Sequence, residues 1–586
     1  MNEGEEVKSF SEKFCNALQE ETGRLEKTAR DPSVLDKIML NLSKTVCEDE
    51  SVKFSVFFAC LSAYGPEPLN LFIRGPTSTG KTYGTVQTSQ VFPTKDILYI
   101  GAASPKFLIR QHGVLVDASG KPFTDEKPEK PRKSDCANTS EYKEALKAYK
   151  TEMKEFIDKL RDTYTLIELS GKILIFLESP NLELFNILRP ILSHDKAEMS
   201  FPYVDKNSKG QIRTVNVTIR GWPACIVLNA REQYLEELAN RAFTISPLES
   251  TSKYEAGNQV TNEFSSFPWE KDQIDKYREE VRTFIEYLKT QIQGKEYVLP
   301  FDLTSIYPHD LPRDMRDFKH LLQLIQCVTA LHAKQRLTLI RDKKEYFVSS
   351  LKDVEFAFRK FKAIFETTRT GLSQHVLTFY HKIVQEMPID ETSSENKEKL
   401  ETKRRPWRTS ELLNKYNETF SPKRSRRTVL RYLELLEEIG YVSSGEDTDD
   451  KRSSVWVAIL QQNKEKSAID DFNQMSEDLK PKLEKSLKEW LDRLGHEKAE
   501  FYLEKNSSDG TPQWLAWDEV EKMILLQEAS SCLNLVTAET SLKTELEPKE
   551  TDIQKKTQNA QEPKRNDGLA KGAVSILNGT SGRREP

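Results

Sequence analysis

The sequence predicts an α/β fold with a three-layer core of helices and parallel strands, and two observations predict it. The first is a set of three apolar runs of strand length, at 69–73, 172–177 and 224–228. Runs without polar alternation are typical of parallel strands that are buried on both faces. The second is a glycine-bearing run at 75–82, which follows the first strand directly and precedes a helical segment over 81–91.

The run at 75–82 fits the pattern G-x-x-x-x-G-K-[ST], a phosphate-binding loop between a strand and a helix. Backbone N–H groups at the start of that helix, together with the helix dipole, favour phosphate groups. We therefore predict a P-loop NTPase that binds ATP, in which Lys81 reaches the β- and γ-phosphates and the Thr82 hydroxyl holds Mg²⁺. The predicted nucleotide-binding residues are Gly75, Pro76, Thr77, Ser78, Thr79, Gly80, Lys81, Thr82 and Tyr83.

Composition limits the classes of protein to which this chain can belong. Its 586 residues leave room for roughly three or four domains. The net charge of −5 is close to neutral for this length, so any contact with nucleic acid has to come from local basic patches. No stretch reaches the roughly 18 uninterrupted apolar residues of a membrane span, and the first residues are acidic, unlike a secretory signal. The seven cysteines are scattered without a C-x-x-C pair, which indicates reduced thiols in a cytoplasmic protein and no zinc site.

We divide the chain into six parts: an N-terminal helical segment, an ATPase core, a helical lid with connecting helices, a small basic domain, a charged helical region and a tail. In that order they are predicted at 1–50, 51–255, 256–400, 401–462, 463–536 and 537–586. The tail has few apolar residues, so it cannot bury enough apolar surface to fold and is predicted to be disordered.

Within the core, residues 117–165 are predicted to be a charged insertion that ends in a helix over 140–161. Apolar residues recur in this helix at alternating spacings of four and three, which places them on one face. They are Tyr142, Leu146, Tyr149, Met153, Phe156 and Leu160. Such a face packs within the chain or forms a coiled coil with a partner, and the sequence leaves both open.

The strand at 172–177 is followed by the carboxylate of Glu178. An acid at the carboxyl end of a parallel strand beside a phosphate loop can organise Mg²⁺ and polarise the attacking water. The alternative is a strand that ends in a surface glutamate. The usual pair at this point is Asp-Glu, and Leu177 occupies the Asp position here. Hydrolysis therefore depends on Glu178, with Ser179 or Glu183 available to help, whereas ATP binding does not.

A β-hairpin is predicted over 201–219, since Asn and Gly within 205–210 suit its turn. The basic residues at or near its tip are Lys206, Lys209 and Arg213. The third core strand follows and ends at Asn229, and after it comes the sequence Asn240-Arg241-Ala242-Phe243. The lysines either grip a nucleic-acid backbone or belong to a solvated turn.

This order of phosphate loop, acid-ended strand, hairpin, amide-ended strand and Asn-Arg-x-Phe resembles the AAA+ superfamily. It is most similar to the branch with a hairpin before sensor 1, which includes superfamily 3 viral helicases and minichromosome maintenance helicases. The stretches 188–195 and 237–241 are also similar to the ATPase domains of plasmid and phage primase–helicases, and the segment 311–318 could supply their arginine-bearing helix. The resemblance covers about residues 50–340.

The resemblance implies roles for five residues. Asn229 matches sensor 1, which orients water against the γ-phosphate, and Arg241 matches the arginine finger that acts on a neighbouring subunit's nucleotide. Arg313 or Arg316 matches the sensor 2 arginine, and the lysines of the hairpin would face a central channel. An arginine of this kind stabilises charge on the transferred phosphoryl group and makes hydrolysis depend on assembly. The alternative for Arg241 is an ion pair with Glu236 or Glu237.

The basic domain carries ten Lys or Arg residues between 403 and 431, against two acids. A first helix is predicted at 409–416 and a second from Ser421-Pro422, with two strands around a polar loop between 441 and 457. This order is similar to a winged-helix domain, whose second helix enters the major groove of DNA. The predicted DNA contacts are Lys423, Arg424, Arg426, Arg427, Arg431, Lys451 and Arg452. A winged helix can instead mediate protein contacts.

The leading hypothesis is a ring-forming homo-oligomer that acts as an ATP-driven DNA helicase or translocase in replication. It would hold single-stranded DNA in its channel and duplex DNA at the winged helix. A first alternative is a replication initiator or loader that uses ATP as an assembly switch, which Leu177 favours. A second is an ATP-dependent transcription regulator. Neither paired carboxylates outside the ATPase nor a zinc ribbon indicates a primase site.

Overall fold

The structure is a computed structural model and describes residues 20–101, 113–180, 182–206, 212–229, 241–307, 309, 313–386, 406–420, 423–446, 454–459, 479–496, 499–504 and 512–526. In the described ranges, no helix is both long and apolar enough to cross a bilayer.

Helices and strands are numbered along the chain. The helices are α1 Val34–Ser43, α2 Glu50–Ser62, α3 Lys81–Ser89, α4 Thr139–Arg161, α5 Leu182–Leu192, α6 Thr251–Ser266, α7 Glu270–Ile292, α8 Asp314–Leu331, α9 Leu351–Thr370, α10 Gln374–Phe379, α11 Thr409–Thr419, α12 Arg426–Glu438, α13 Leu479–Leu494 and α14 Trp517–Leu526. The strands are β1 Asn70–Arg74, β2 Ile97–Ile100, β3 Val114–Val116, β4 Tyr164–Glu168, β5 Ile173–Phe176, β6 Glu198–Lys206, β7 Ile212–Arg220, β8 Ala224–Asn229, β9 Phe243–Ile245, β10 Glu296–Val298, β11 Thr338–Arg341, β12 Lys344–Val348, β13 Trp407–Arg408, β14 Val442–Glu446, β15 Ser454–Ala458, β16 Glu500–Glu504 and β17 Pro512–Trp514.

A parallel five-stranded sheet with the order β2-β5-β8-β1-β9 forms the centre of the fold. The three apolar runs predicted as strands become β1, β5 and β8, and every residue of β5 and β8 is buried. Because all five strands run in one direction, their carboxyl ends meet at one edge of the sheet, where ligands of open α/β sheets bind. The α/β architecture and its parallel sheet are consistent with the predicted P-loop NTPase fold.

Helix α2 is apolar on all sides and packs beneath the sheet. Val52, Phe57 and Phe58 are fully buried or nearly so, and the ring of Phe57 lies 5.3 Å from that of Phe92. A helix that is hydrophobic all round has to be covered on every face, which fits its place between the sheet and the helices α8 and α9. The apolar residues of this segment predict a helix over 53–64, and α2 covers most of that range.

The predicted hairpin is present as β6 and β7, but it belongs to a second sheet with the order β3-β4-β7-β6. Strand β4 runs parallel to β7, and β3 pairs with the other side of β4. The insertion at 117–165 is therefore not only a loop and a helix, since its last residues begin β4. Sequence patterning gave no sign of this strand because only one of its residues, Ile167, is fully buried.

The insertion helix is present as α4 and begins one residue before the predicted start. None of its residues is buried, and its apolar face is only half covered. The cover comes from the preceding segment, where the ring of Phe123 lies 6.0 Å from that of Phe156 and Lys133 lies over the ring of Tyr142. The packing of this face is thus local and incomplete.

A third sheet, with the order β10-β12-β11-β16-β17, joins the predicted lid to the charged region that follows the basic domain. Strand β11 pairs on one side with β12 and on the other with β16. Both regions were predicted from helical patterns, and each contributes strands as well as helices. Sequence patterning missed these strands because they are short and only partly buried.

The basic module comprises the described residues between 372 and 459. It contains α10, a following π-helical turn, α11, α12 and a three-stranded sheet with the order β13-β15-β14 around one apolar cluster. The second helix of the sequence prediction begins at Arg426, after the N-cap Ser425, and not at Ser421-Pro422, which lie outside the described residues. The Ser425 side chain accepts from the Thr428 N–H, which stabilises this start.

Candidate nucleotide-binding site

The phosphate loop lies between β1 and α3, at the carboxyl edge of the central sheet. Its residues 76–78 are exposed, whereas Thr79 is buried and its hydroxyl donates to the Pro76 carbonyl at 2.9 Å. Gly80 has a φ of 85° and Ser78 a φ of 66°, so the loop turns sharply enough to present its backbone to a ligand. The strand–loop–helix context that the motif requires is therefore present.

Lys81 is the first residue of α3 and its side chain turns back into the loop. It is 8% exposed, and its ammonium donates to the carbonyl of Gly75 at 2.7 Å and to that of Pro76. Burial lowers the pKa of Lys81, while the carboxylate of Glu249 opposes this change. A cation held by loop carbonyls can exchange them for phosphate oxygens, which are stronger acceptors because they are charged.

Two polar residues lie at or just beyond the carboxyl ends of β8, which pairs with β1, and of β5, the next strand of the sheet. Asn229 is 6% exposed and pairs in register with Arg74, the last residue of β1. Phe176 of β5 pairs with Val227 of β8, so Glu178 and Asn229 each lie two residues beyond this pair. The structure thus brings the loop, Glu178 and Asn229 to the same edge of the sheet. Glu178 is exposed there, as the attack of water on a phosphate requires.

Leu177 takes the position where an aspartate was expected. It is half-buried, and its N–H donates to the Ile100 carbonyl at 2.8 Å, which continues the pairing of β5 with β2. Its side chain offers no oxygen to a metal ion. Ser179 is exposed beside it, and the side chain of Glu183 lies outside the described residues.

The donor set at this edge fits Mg²⁺ that arrives with a nucleotide. Among the residues that the structure describes, no three His, Cys, Asp or Glu side chains gather to hold a metal ion. Mg²⁺ does not need such a cage, since it keeps several waters and binds mainly phosphate oxygens. The exposed Thr82 hydroxyl at the start of α3 and the Glu178 carboxylate are the protein oxygens that could complete its shell.

Sequence reasoning missed a lysine that braces the phosphate loop. The Lys253 ammonium, in the first turn of α6, donates to the carbonyls of Thr79 at 3.0 Å and Leu248 at 3.1 Å. It also forms an ion pair with the buried Asp49, whose pKa burial raises and Lys253 lowers in part. No local pattern connects residues 49, 79 and 253, so only the folded chain shows the contact.

The three arginines expected at the nucleotide lie at the opposite edge of the sheet. Asn70, the first residue of β1, donates to the Arg241 carbonyl at 3.4 Å. Arg313 forms an ion pair with Asp317 at 3.0 Å and donates to the Ala242 carbonyl at 3.5 Å. The structure therefore does not bring Arg241, Arg313 or Arg316 to the phosphate loop of the same chain.

Arg241 and Arg316 instead share a cavity of about 190 Å³ at this amino edge. The other residues that line it are Asn70, Leu192, Ser193, His194, Asp195, Lys319, His320 and Gln323. Asn70 Oδ1, His194 Nε2 and Gln323 Oε1 are buried and have no hydrogen-bond partner in the described part of the chain. The two arginines and the lysine suit an anionic group, whereas the unmet oxygens of Asn70 and Gln323 can only accept from a donor on a ligand.

His194 adds little charge to this cavity near neutral pH. Burial, and then the charge of Lys319, lowers the pKa of His194 to about 4. Its backbone has a φ of 56°, and it follows the end of α5, where left-handed residues are common. Glu236 and Glu237, the alternative partners for Arg241, lie outside the described residues.

The hairpin residues are described only in part. Lys206 pairs with Ile212 at the open end of the β6–β7 ladder, and Arg213 pairs with Asp205. Lys209 falls between β6 and β7 in the sequence and is not among the described residues. The tip itself lies outside the described residues, and the contact with nucleic acid stays a prediction.

In the basic module, four of the predicted DNA contacts are exposed and one is not. Lys423, Arg426, Arg427 and Arg431 are exposed. Arg424 instead forms an ion pair with Glu249, a residue between β9 and α6 near the phosphate loop. Lys451 and Arg452 lie outside the described residues.

Comparisons with known proteins leave the family open. No family model matches the chain, and no curated protein matches it. One solved structure, named "SCCmec type IV Cch - active helicase", is 10% identical with a TM-score of 0.23, over 75% of this chain and 73% of that chain. The Aeropyrum pernix ORC1 protein in complex with DNA is 14% identical with a TM-score of 0.16, over 74% of this chain and 93% of that chain. Likenesses this weak carry no argument about activity, and the fold class rests on the sheet and its loop.

Proposed function

We propose that this chain is an AAA+ ATPase that assembles into a ring and uses ATP hydrolysis to move along DNA as a replicative helicase or translocase. One observation carries the proposal: the phosphate loop and the cavity of Arg241 and Arg316 lie at opposite edges of one sheet. Each copy then holds the two halves of an ATPase site on different faces, and only a neighbouring copy can join them. The location that suits this function is cytoplasmic and DNA-associated.

At the carboxyl edge, the loop backbone and Lys81 hold the phosphates of ATP, and bound ATP supplies a cleavable γ-phosphoryl group. Glu178 accepts a proton from the attacking water, and Asn229 orients that water through its amide. With Leu177 in the aspartate position, Thr82 and Glu178 are the residues that would hold Mg²⁺, and the ion would offset charge on the phosphates.

At the amino edge, Arg241 and Arg316 act on the nucleotide of the neighbouring copy. The five residues of β1 alone span about 13 Å, so these arginines cannot reach their own phosphate loop. A head-to-tail contact between copies closes into a ring if its rotation allows. Arginine then stabilises the charge that develops on the γ-phosphoryl group and couples hydrolysis to assembly.

The DNA contacts belong to two separate surfaces. Lys206, Lys209 and Arg213 at the hairpin would grip the backbone of a single strand in the channel of the ring. The basic module would bind duplex DNA as a winged helix, through Lys423, Arg426, Arg427 and Arg431 and through Lys451 and Arg452 of its polar loop.

The proposal is tested by the rate of ATP hydrolysis with and without single-stranded DNA, measured beside the mass of the ATP-bound assembly. We expect stimulation by the DNA, a multimeric mass, and loss of both ATP binding and turnover in Lys81→Ala. A chain that stays monomeric and leaves ATP intact at every DNA concentration is not a motor.

A second function, a replication initiator or loader, is favoured by Leu177. A site with one acid in place of two is suited to slow hydrolysis, in which ATP acts as an assembly switch. An initiator would bind one duplex sequence tightly and show turnover that single-stranded DNA does not accelerate, so the same measurement separates the two functions.

A further inference from the structure

Arg424 differs from the other basic residues of its module because it faces the ATPase core. Its side chain is 23% exposed and its guanidinium contacts the carboxylate of Glu249, which is 8% exposed. The backbone of Arg424 is fixed as well: its N–H donates to Asn417 Oδ1 at 2.7 Å, and its carbonyl accepts from Asn417 Nδ2 at 3.2 Å. Its direction is thus set by the fold of the module.

Glu249 lies beside the phosphate loop. Its neighbour Leu248 and the loop residue Thr79 accept hydrogen bonds from the same Lys253 ammonium. Pro247, two residues before Glu249, lies close to the loop: a β-carbon placed on Gly75 would be 3.2 Å from Pro247 Cδ. The segment that carries Glu249 therefore runs along the loop, and Arg424 is held at its side.

The basic module is also tied to the strands that flank the loop. Arg74, the last residue of β1, donates to the Gly371 carbonyl at 2.5 Å, directly before the module begins. The hydroxyls of Thr367 and Thr368 donate to the Thr244 carbonyl in β9, at 2.7 and 3.2 Å. These contacts tie the end of α9, directly before the module, to β1 and β9.

The guanidinium of Arg424 keeps an unused donor. Glu249 contacts one terminal nitrogen and the Tyr416 hydroxyl of the same module also accepts from the guanidinium, whereas Arg424 Nε is buried and has no hydrogen-bond partner in the described part of the chain. A buried donor without an acceptor is unfavourable, and a phosphate oxygen is the kind of acceptor that a guanidinium binds best, through two nitrogens at once.

We propose that Arg424 is a nucleotide-binding residue supplied by the basic module, and that it contacts the terminal phosphate of ATP bound in this chain's own loop. The inference rests on the proposed ATP binding. Arg424 takes the role that the sequence gave to Arg313 or Arg316, which the fold holds at the far edge of the sheet. Because ADP lacks that phosphate, the contact lets the DNA-binding module distinguish the two nucleotides.

The test compares Arg424→Ala and Arg424→Lys with Lys415→Ala, which removes an exposed cation from the same module outside any proposed site. Binding of Mg²⁺-ATP and Mg²⁺-ADP to the full chain is measured by calorimetry. We expect ATP to bind about tenfold more weakly to Arg424→Ala, with ADP unchanged. Arg424→Lys should recover part of the loss because it keeps the charge without the second donor. Lys415→Ala should match the wild type for both nucleotides.

Glu249→Gln separates a phosphate contact from a merely structural ion pair. If Arg424 contacts the terminal phosphate, Glu249→Gln frees its guanidinium and removes a negative charge near the nucleotide. ATP should then bind equally well or more tightly. If the pair only docks the module, Glu249→Gln weakens ATP binding as Arg424→Ala does, and the inference is wrong. It is also wrong if Arg424→Ala binds ATP like the wild type. Thermal unfolding of each variant excludes misfolding, and a wild-type chain that binds no ATP would instead refute the proposed function.

Discussion

The two edges of the central sheet are built in opposite ways. At the carboxyl edge, a turn with Gly80 and Ser78 at positive φ exposes backbone groups, and Lys81 and Lys253 bring largely buried cations. At the amino edge, charged side chains dominate: Arg241 and Arg316 line a cavity whose buried polar atoms are not all satisfied. One edge can hold an anion through its backbone, and the other can stabilise charge that develops on one.

Two residues that are close together in the sequence can therefore lie at different edges of the sheet. Arg241 follows Asn229 by twelve positions, yet the fold places them at opposite ends of their strands. Under the proposed function, such a chain would be inactive alone and active at an interface between copies.

The largest expected effect is on turnover without an effect on binding. In Arg241→Ala we expect kcat for ATP hydrolysis to fall about 10³-fold or more, because the developing charge loses its cation. ATP affinity should stay near the wild-type value, since Arg241 does not reach its own loop. Phosphate release and nucleotide titration on the same preparation measure the two quantities.

Mixing two inactive variants provides the control for this effect. Subunits with Lys81→Ala cannot bind ATP in their phosphate loop, and subunits with Arg241→Ala lack the arginine that acts on a neighbour's nucleotide. A mixed assembly contains some interfaces that have both an intact loop and an intact arginine. Activity should therefore return when the two are combined, although neither has it alone. A mixture as inactive as its components would show that Arg241 acts within its own chain or only stabilises the fold.

Glu178→Gln should cost about 10²-fold in turnover or more, since the amide cannot accept a proton from water. Here too ATP binding should persist, but mixing with Arg241→Ala should restore activity only where the Arg241→Ala subunit supplies the loop. Glu183→Gln is the matched comparison. If Glu183→Gln abolishes turnover and Glu178→Gln does not, the acid has been assigned to the wrong residue.

Local patterns were enough to predict the centre of the fold. The runs at 69–73, 172–177 and 224–228 become strands because the middle positions of parallel strands buried on both faces are apolar, without polar alternation. The short, partly buried strands of the second and third sheets carry no such signal. β4 has one buried residue and was predicted as part of an insertion.

The surroundings of the site could not be predicted in the same way. A basic run such as 423–431 shows charge but not what each charge meets, so Arg424 was assigned to DNA and lies against Glu249. Lys253 braces Thr79 across a separation of 174 residues, and Arg316 of α8 lines the same cavity as His194, which follows α5. Contacts of this kind depend on tertiary packing, which one sequence does not display.

The smallest expected effect is a pH dependence at the amino edge. His194 has an ordinary pKa of 6.5 when unfolded, and burial lowers its pKa to about 4 in the fold, with Lys319 and His320 acting in the same direction and Glu67 and Asp195 against it. Between these two values the unfolded chain binds a proton that the folded chain does not. The free energy of unfolding should therefore fall as the pH drops from about 6.5 to about 4, by on the order of 1–3 kcal/mol from this group.

Urea unfolding at a series of pH values measures this slope, with His194→Asn as the comparison. Asparagine tolerates the left-handed backbone at this position and does not titrate, so the variant should lose part of the slope while keeping its stability at neutral pH. Part of the slope should remain, because burial also lowers the pKa of His332 to about 4. An unchanged slope would mean that the amino-edge cavity admits enough water to keep His194 near its ordinary pKa. The cavity at the amino edge, unlike the carboxyl edge, would then gain a positive charge in mild acid.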